Sequence, residues 1–240
     1  MPREAADNAA LLGLIGAGWL TIAVAERVRP FRPDWNRSRG DVGTDLVSLV
    51  VAGALAPTVG AVVAGPLRRR LGPHTAAPVV GRLPRPAQLG AAVLAYDLFH
   101  GSHHRLAHET ALWRIHSVHH RPSRLYWFNA TRFHPLELLG DIVGEQVILA
   151  LLGLDADARL SLQVLRGVYG QIQHANVDLD SGALNAVLST PERHRWHHST
   201  DPAEGNANYG AVVAVWDRLL GTAYLPPGRS FDAVVGVGGD

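Results

Sequence analysis

Long apolar runs separated by short polar connections dominate the hydropathy pattern of this chain of 240 residues. An apolar helix needs roughly 17–25 residues to cross a bilayer. The first two runs reach that length and predict membrane-spanning helices, and three later runs predict further helices packed against them. The five runs cover residues 9–26, 45–66, 87–99, 138–154 and 158–175.

The first two runs each leave an alternative open. A signal peptide is the alternative for residues 9–26, because Ala-Val-Ala at 23–25 resembles a cleavage site. The preceding residues 1–8 hold one arginine and two acids, a poor positively charged start, which favours a retained helix. In the second run, Pro57 either kinks a spanning helix or marks a re-entrant turn.

Two carboxylates in the fourth run indicate which side of that helix is buried. Asp141 and Glu145 are spaced i, i+4 and therefore share one helix face. Carboxylates are poor lipid-facing groups, so we expect both to face the protein interior. The complete pattern predicts an all-α fold, an integral membrane helical bundle.

The arginines do not settle the orientation of this bundle in a membrane. Residues 26–41 carry five arginines and residues 67–85 carry another five. If the run between them crosses the membrane once, the two groups lie on opposite sides. The excess of positive charge expected on the cytoplasmic side then favours neither orientation.

Composition removes several functional classes. The chain has no cysteine, which excludes disulfides, cysteine-based zinc sites and iron–sulfur clusters. Apolar residues make up 47% and charged residues only 18%, which agrees with a membrane protein. All 22 basic residues are arginine, yet the net charge is +1, so we expect no nucleic-acid partner. The lysine-free, alanine- and glycine-rich composition suggests a bacterial source.

Histidine is the residue that the composition leaves to carry chemistry. Of the 13 histidines, only His74 lies outside the window from 100 to 198. If residues 97–120 are mainly helical, one i, i+4 pair and one HxxHH group lie in that segment, and a second HxxHH group and a single histidine follow. These nine are His104, His108, His116, His119, His120, His174, His194, His197 and His198.

Nine imidazoles are too many for one metal ion. A neutral imidazole is a good ligand for iron, zinc, copper or nickel, and one structural zinc takes four ligands. Two ions with four or five ligands each would use the whole set. The chain lacks the HExxH motif of zinc peptidases, a Gly-rich phosphate loop and a GxSxG elbow. The histidine pattern therefore predicts a dimetal site in a histidine-rich helical cap on the bundle.

Two other kinds of metal protein could use the same histidines. A non-enzymatic membrane metal-binding protein, loaded with zinc, needs no further residues and stays open as an alternative. A lipid-sized pocket beside the metals would favour an enzyme over such a store. A soluble dimetal hydrolase is disfavoured by the apolar runs and by the missing carboxylate ligands.

The order of the motifs resembles that of the fatty acid hydroxylase/sterol desaturase superfamily, integral membrane non-haem di-iron oxygenases. The resemblance begins at Asp97, ahead of the first histidine pair. It continues through "LWRIHSVHH" (112–120), "RFHPLE" (132–137), "QHAN" (173–176), "TPERHRWHHST" (190–200), "NYG" (208–210) and "WDRLLGT" (216–222). These motifs cover about 97–222, and the first 90 residues agree with the family only in being apolar. Together with the apolar runs, they predict N-terminal membrane helices in 1–90, a catalytic region with further membrane helices in 91–225, and an irregular C-terminal tail in 226–240.

The resemblance also implies the chemistry. The nine histidines named above would hold two iron ions, which zinc can replace during purification. The protein would use O2 and an external electron donor (a ferredoxin, a cytochrome or a reductase) to hydroxylate or desaturate a lipid-like substrate, such as a fatty acyl chain, a sterol or a carotenoid. We expect it in the bacterial inner membrane, with the metal site facing the cytoplasm.

Five further residues are candidates for roles beside the metals. His100 lies four positions before His104, in "HGSH" where relatives often carry an aromatic run, and is a possible additional ligand. Ligating imidazoles usually donate their second ring N–H to an acceptor. Candidate partners are Asp97, His134, Glu137 and Asp217. The ordinary alternative for these four is helix capping or ion pairing.

Overall fold

The computed structural model of the protein describes residues 2–71, 77–154 and 156–237. These residues are mainly helical and contain no β-strand, only three isolated antiparallel bridges. The predicted all-α class is confirmed. His74 lies outside the described residues, as does Asp155 in the predicted break between the last two apolar runs.

Five long helices form what we call the stem. They are α1 (Pro2–Val28), α2 (Val42–Leu71), α4 (Arg85–Glu109), α6 (Pro135–Leu152) and α7 (Ala156–His174), and the short α3 (Ala77–Val80) precedes α4. Helix α2 packs along α6, α4 packs against both α6 and α7, and α1 packs against α7. The best-packed apolar cluster lies between α4, α6 and α7, around Ala92, Tyr96, Leu149 and Leu162.

A second part, which we call the cap, consists of residues 110–134 and 175–237. It contains α5 (Trp113–His120), α8 (Pro191–His197), α9 (Pro202–Gly205) and α10 (Val215–Leu219), with 3-10 turns at Pro33–Asn36, Trp127–Thr131 and Gly182–Ala186 around it. The described part of the predicted tail, residues 226–237, has no helix and packs against the rest of the cap. Phe231 and Val235 are buried there with Trp196.

The predicted apolar runs are all helical. Helix α2 continues through both Pro57 and Pro66, so the re-entrant turn considered for its middle is wrong. Among the described residues, α2 is the one helix long and apolar enough to cross a membrane, by length and composition only. The other membrane spans stay predictions. Asp141 and Glu145 are buried, as expected from their shared face.

Buried ion pairs join the stem to the cap. At the start of α2, Asp45 is fully buried and accepts hydrogen bonds from Arg132 and from the Tyr126 hydroxyl. A little earlier in the chain, Asp41 pairs with Arg124 at 2.6 Å. A buried charge is costly unless it is paired and hydrogen-bonded. These pairs therefore fix the segment 124–132, which contacts the rings of His119 and His174.

Candidate metal centre

Nine histidines converge into two adjacent groups where the stem meets the cap. Within each group, one ring nitrogen per residue lies within 4.8 Å of the others. The first group is His104, His108, His116, His120 and His197, and the second is His119, His174, His194 and His198. All are buried except His108, which is half-buried. The nine are the residues that the sequence singled out; metal ligation itself stays a prediction.

Each HxxHH motif is divided between the two groups. On a helix, residues i, i+3 and i+4 share one broad face, but i+4 is rotated by about 40° to one side of i and i+3 by about 60° to the other. In α5, His116 and His120 enter the first group and His119 enters the second. In α8 the division is reversed, because His197 belongs to the first group. Each motif therefore supplies both groups, which the sequence spacing did not predict.

Most of the rings are oriented by a hydrogen bond from Nδ1. In the first group, His104 donates to the Tyr209 carbonyl (3.1 Å), His108 to Asn206 Oδ1 (3.0 Å), His116 to Glu137 (2.5 Å) and His197 to the Ala207 carbonyl (2.7 Å). In the second, His174 donates to Asn129 Oδ1 (2.8 Å) and His119 to the Arg132 carbonyl (3.3 Å). A neutral imidazole has one N–H, so Nε2 of each of these rings carries a lone pair.

The Nε2 atoms lie too close together for unshielded lone pairs. His116 Nε2 is 3.0 Å from Nε2 of both His104 and His120, and His108 Nε2 is 3.1 Å from His120 Nε2. Nitrogen ligands about 2.0–2.1 Å from one ion are separated by roughly 2.9–3.4 Å, depending on the coordination geometry. The buried His197 Nε2 has no hydrogen-bond partner. This donor set fits a metal ion in the first group.

The second group fits an ion on the same grounds. His119 Nε2 lies 3.3 Å from His174 Nε2, and His194 Nε2 lies 3.1 Å from His198 Nε2. The outer Nδ1 atoms of His194 and His198 are buried without a partner among the described residues. The orientation of the second group is therefore less completely fixed by hydrogen bonds than that of the first.

Burial keeps these imidazoles in the form that binds metal. Desolvation, with the neighbouring imidazoles, lowers the pKa of His108 to about 3. Desolvation is also the main cause that lowers the pKa of the other described cluster rings for which a shift is found: His104, His119, His120, His174, His194, His197 and His198. Because neutral imidazole is the ligating form, the cluster does not have to lose protons to bind metal at neutral pH.

One loop orients three of the five rings of the first group. Residues 206–209 supply the acceptors for His108, His197 and His104. Within this loop, Asn208 adopts the left-handed conformation, with φ of 57°. Its side chain accepts a hydrogen bond from Arg193 and donates one to the Tyr224 carbonyl. The Asn-Tyr-Gly turn flagged in the sequence thus holds the first group together.

Of the four predicted partners of ligand N–H groups, only Glu137 contacts a ring. Asp217 instead accepts hydrogen bonds from the backbone N–H groups of Tyr209 (2.8 Å) and Gly210 (3.0 Å). Asp97 accepts from those of Val212 and Val213. Direct contact of Asp97 and Asp217 with ligand rings is therefore wrong. Both residues fix the chain around the 206–209 loop, one step behind the rings.

His134 and His100 lie outside both groups. His134 Nδ1 accepts the Leu136 N–H at the start of α6, as the sequence position suggested for a structural role. His100 Nδ1 lies 3.1 Å from the Tyr96 hydroxyl and 3.3 Å from Asp141 Oδ1. Neither joins the histidine groups, so the structure does not bring His100 into position as an additional ligand.

The sequence did not reveal the acceptors Asn129, Asn206 and Tyr209. Asn129 lies 45 positions from His174 and Asn206 lies 98 positions from His108. No periodicity links residues so far apart. The one available signal was the NYG motif at 208–210, which by itself does not identify an acceptor.

A partly open cavity of about 300 Å³ reaches the first group from the cap side. His108, His120 and His197 form its inner wall, and Trp113, Thr200 and Val237 are among its other lining residues. The lining mixes apolar and polar groups. The cavity brings small molecules to the first group, but its volume is not that of a long lipid chain.

An all-helical stem that carries two polyhistidine groups defines the class of this protein, a helical protein with two candidate metal sites. The fatty acid hydroxylase family model matches residues 89–222. The chain is 34% identical to an ornithine lipid hydroxylase of Rhizobium tropici over 91% of this chain and 68% of that protein. The chain belongs to the fatty acid hydroxylase superfamily.

More distant relatives share part of the chain. An alkylglycerol monooxygenase of Danio rerio is 29% identical over 55% of this chain, and the human one is 28% identical over 55%. The chain covers 29% of the length of each. No solved structure matches the chain. The family and these relatives support a lipid-modifying oxygenase.

Proposed function

We propose that the protein is an integral membrane oxygenase that uses two iron ions and O2 to hydroxylate a membrane lipid. The observation that carries the proposal is the division of nine histidines into two groups whose Nε2 atoms converge. Two bound iron ions would supply the activation of O2 that oxidation of an unreactive C–H bond requires. The first ion is held by the group of five, and the second by the group of four.

The protein's own residues position this chemistry. The loop 206–209 and Glu137 hold four rings of the first group, and Asn129 and Arg132 hold two rings of the second. Outer partners of this kind fix the orientation and the basicity of ligating imidazoles. Burial of the rings limits access of water, and the cavity beside His108, His120 and His197 admits O2 to the first group.

Electrons come from a separate protein. Hydroxylation consumes a C–H bond, O2, two electrons and two protons, and yields an alcohol and water. The chain contains no cysteine for an iron–sulfur cluster and no dinucleotide-binding motif. A ferredoxin, a cytochrome or a reductase therefore delivers the two electrons. Desaturation, which removes a second hydrogen instead of inserting oxygen, is the other outcome of the same chemistry.

The substrate is a polar membrane lipid. The R. tropici relative is named an ornithine lipid hydroxylase and covers most of this chain, so ornithine lipids are the first substrates to test. The protein lies in the bacterial inner membrane, with residues 1–90 as N-terminal membrane helices and 91–225 as the metal-bearing region. The metal groups face the cytoplasm, where soluble electron donors reach them.

The test is oxygen incorporation. Membranes that contain the protein, an electron donor and ornithine lipid are incubated with 18O2, and lipids are analysed by mass spectrometry. A lipid product that carries one 18O atom supports the proposal. A protein that retains metal but gives no new lipid across a broad lipid panel would instead be a non-enzymatic zinc-binding membrane protein. Product that contains a new double bond and no 18O indicates desaturation.

A further inference from the structure

A second cavity, of about 480 Å³, lies on the cap away from the inner wall of the metal site. Seven residues line it: Asn185, Ala186, Arg193, Arg218, Gly221, Ala223 and Leu225. Two of these side chains are cationic and none is acidic. Arg218 contacts nothing in the histidine site and Arg193 reaches it only through Asn208, and the cavity shares no lining residue with the cavity at the first histidine group.

Arg193 is buried without an anionic partner. It is 4% exposed and donates to two neutral acceptors, the Asn185 carbonyl and Asn208 Oδ1. Its Nε has no partner among the described residues. The acid whose charge interacts with Arg193 is Asp217. Its carboxylate oxygens already accept hydrogen bonds from Tyr209, Gly210 and Thr222. A buried guanidinium without an anionic partner is a suitable hydrogen-bond donor to an oxyanion, because its planar set of N–H groups matches the oxygens of a phosphate.

Exposed apolar side chains lie next to the lining residues in the sequence, and one of them, Leu225, lines the cavity itself. Leu219 is 69% exposed and Leu184 is 58% exposed, and Val187, Leu220 and Leu225 are exposed as well. These residues come from two segments that the structure joins, since the Ala214 N–H donates to the Val187 carbonyl at 2.8 Å. Arginines next to exposed aliphatic side chains match the chemistry of the membrane interface, where lipid phosphates lie beside hydrocarbon chains.

The position of α10 beside the stem supports the same assignment. The Trp216 indole donates to the Leu94 carbonyl in the middle of α4, at 2.9 Å. Leu94 lies ten positions before His104, about 15 Å along the helix axis. Leu94 and Leu98 are exposed on α4. An apolar surface therefore extends from the stem onto the cap, and Arg218 lies next to it.

We propose that Arg193 and Arg218 bind the phosphate of a membrane phospholipid, which anchors the cap to the bilayer surface beside α4. The surrounding leucines contact the acyl chains. This site is independent of the lipid that is oxidised and does not depend on the proposed reaction. Free inorganic phosphate has the same headgroup chemistry, but it would gain nothing from the leucine rim.

Native mass spectrometry of the full chain, released from detergent micelles, tests the assignment. The micelles contain phosphatidylglycerol, diacylglycerol with the same acyl chains, or inorganic phosphate. We expect retained phosphatidylglycerol on the wild type and a loss of apparent affinity of about tenfold or more in Arg218→Gln, the effect of losing one charge-assisted hydrogen bond. Arg114→Gln, which removes an exposed cap arginine outside this cavity, should bind like the wild type.

Three results would overturn the proposal. Equal retention of phosphatidylglycerol by the wild type and Arg218→Gln would remove the arginine from the site. Equal retention of diacylglycerol would show that the leucines act without phosphate. Competition by inorganic phosphate at equal concentration would assign the cavity to a soluble anion. Arg218 is exposed, so its substitution leaves the fold intact.

Discussion

The ring of His116 donates a hydrogen bond from Nδ1 to Glu137 at 2.5 Å, and both side chains are buried. This contact joins α5 in the cap to the first turn of α6 in the stem. It also fixes the lone pair of His116 on Nε2, which lies 3.0 Å from Nε2 of both His104 and His120. Glu137 therefore controls the ring at the centre of the first group.

We expect Glu137→Ala to weaken metal binding by the first group about 10–100-fold, the usual cost of losing the outer partner of a ligating histidine. The second group should keep its metal, because Glu137 contacts none of its rings and two of them are oriented from residues 129–132. Metal titration followed by elemental analysis measures both. Glu109→Ala, which removes an exposed carboxylate paired with Arg105, is the matched control. Equal loss of both metals would contradict separate support of the two groups.

Asp217→Asn should act on the first group through the loop, without touching a ring. The asparagine keeps one oxygen acceptor and cannot accept from both the Tyr209 and Gly210 N–H groups. We expect a smaller loss of first-group metal than in Glu137→Ala, with lower stability by about 1–3 kcal/mol from the unsatisfied N–H group. Asp232→Asn, at an exposed site, serves as the control. Unchanged metal content and unchanged stability would remove Asp217 from this role.

Single substitutions of ligands should each empty one group. Purified protein should contain about two transition-metal ions per chain, iron when active, with zinc as a substitute after overproduction. His120→Ala should lower the content of the first group and His198→Ala that of the second, and both should abolish turnover. His100→Ala should retain both metals, since its ring contacts Tyr96 and Asp141 instead.

His74→Ala should leave metal and turnover unchanged, because the histidine pattern excludes it. Metal content and lipid product are read together for all four variants. A wild-type stoichiometry of one that persists after iron reconstitution would rule out the dimetal arrangement. Full metal and full turnover in both His120→Ala and His198→Ala would refute the ligand set. Lost metal in His100→Ala would restore it as a ligand.

Stability of the metal-free protein should fall as the pH drops below 6.5. The folded-state pKa of His108 is lowered to about 3, and that of seven other cluster histidines is also lowered, whereas unfolded histidine titrates near 6.5. Between those values the unfolded state binds more protons, so acid favours unfolding by about 1.4 kcal/mol per pH unit for each such histidine. Denaturant unfolding in detergent at pH 7, 6 and 5 measures this slope. Iron-loaded protein should show a later decline, and a flat metal-free profile would contradict the expectation.

The sequence alone determined the helical class, the nine convergent histidines and the family. Helix periodicity is local, so i, i+4 spacing is sufficient to align His104 with His108 on one face of α4. The same local rule placed Asp141 and Glu145 on the buried side of α6, which burial confirms. The start of α8 follows local rules as well, because the Thr190 side chain accepts the Arg193 N–H just ahead of the helix.

Only the tertiary structure decided how the histidines divide and what orients them. Each HxxHH motif is divided between the two groups because histidine rings of α5 and α8 contact each other across the site. That packing depends on contacts between residues far apart in sequence. Asn206 reaches His108 across 98 positions, and Asp97 and Asp217 act on a loop instead of a ring. Helix geometry determines the direction in which a side chain leaves its own helix. The residue that the side chain then contacts depends on how the helices and loops pack.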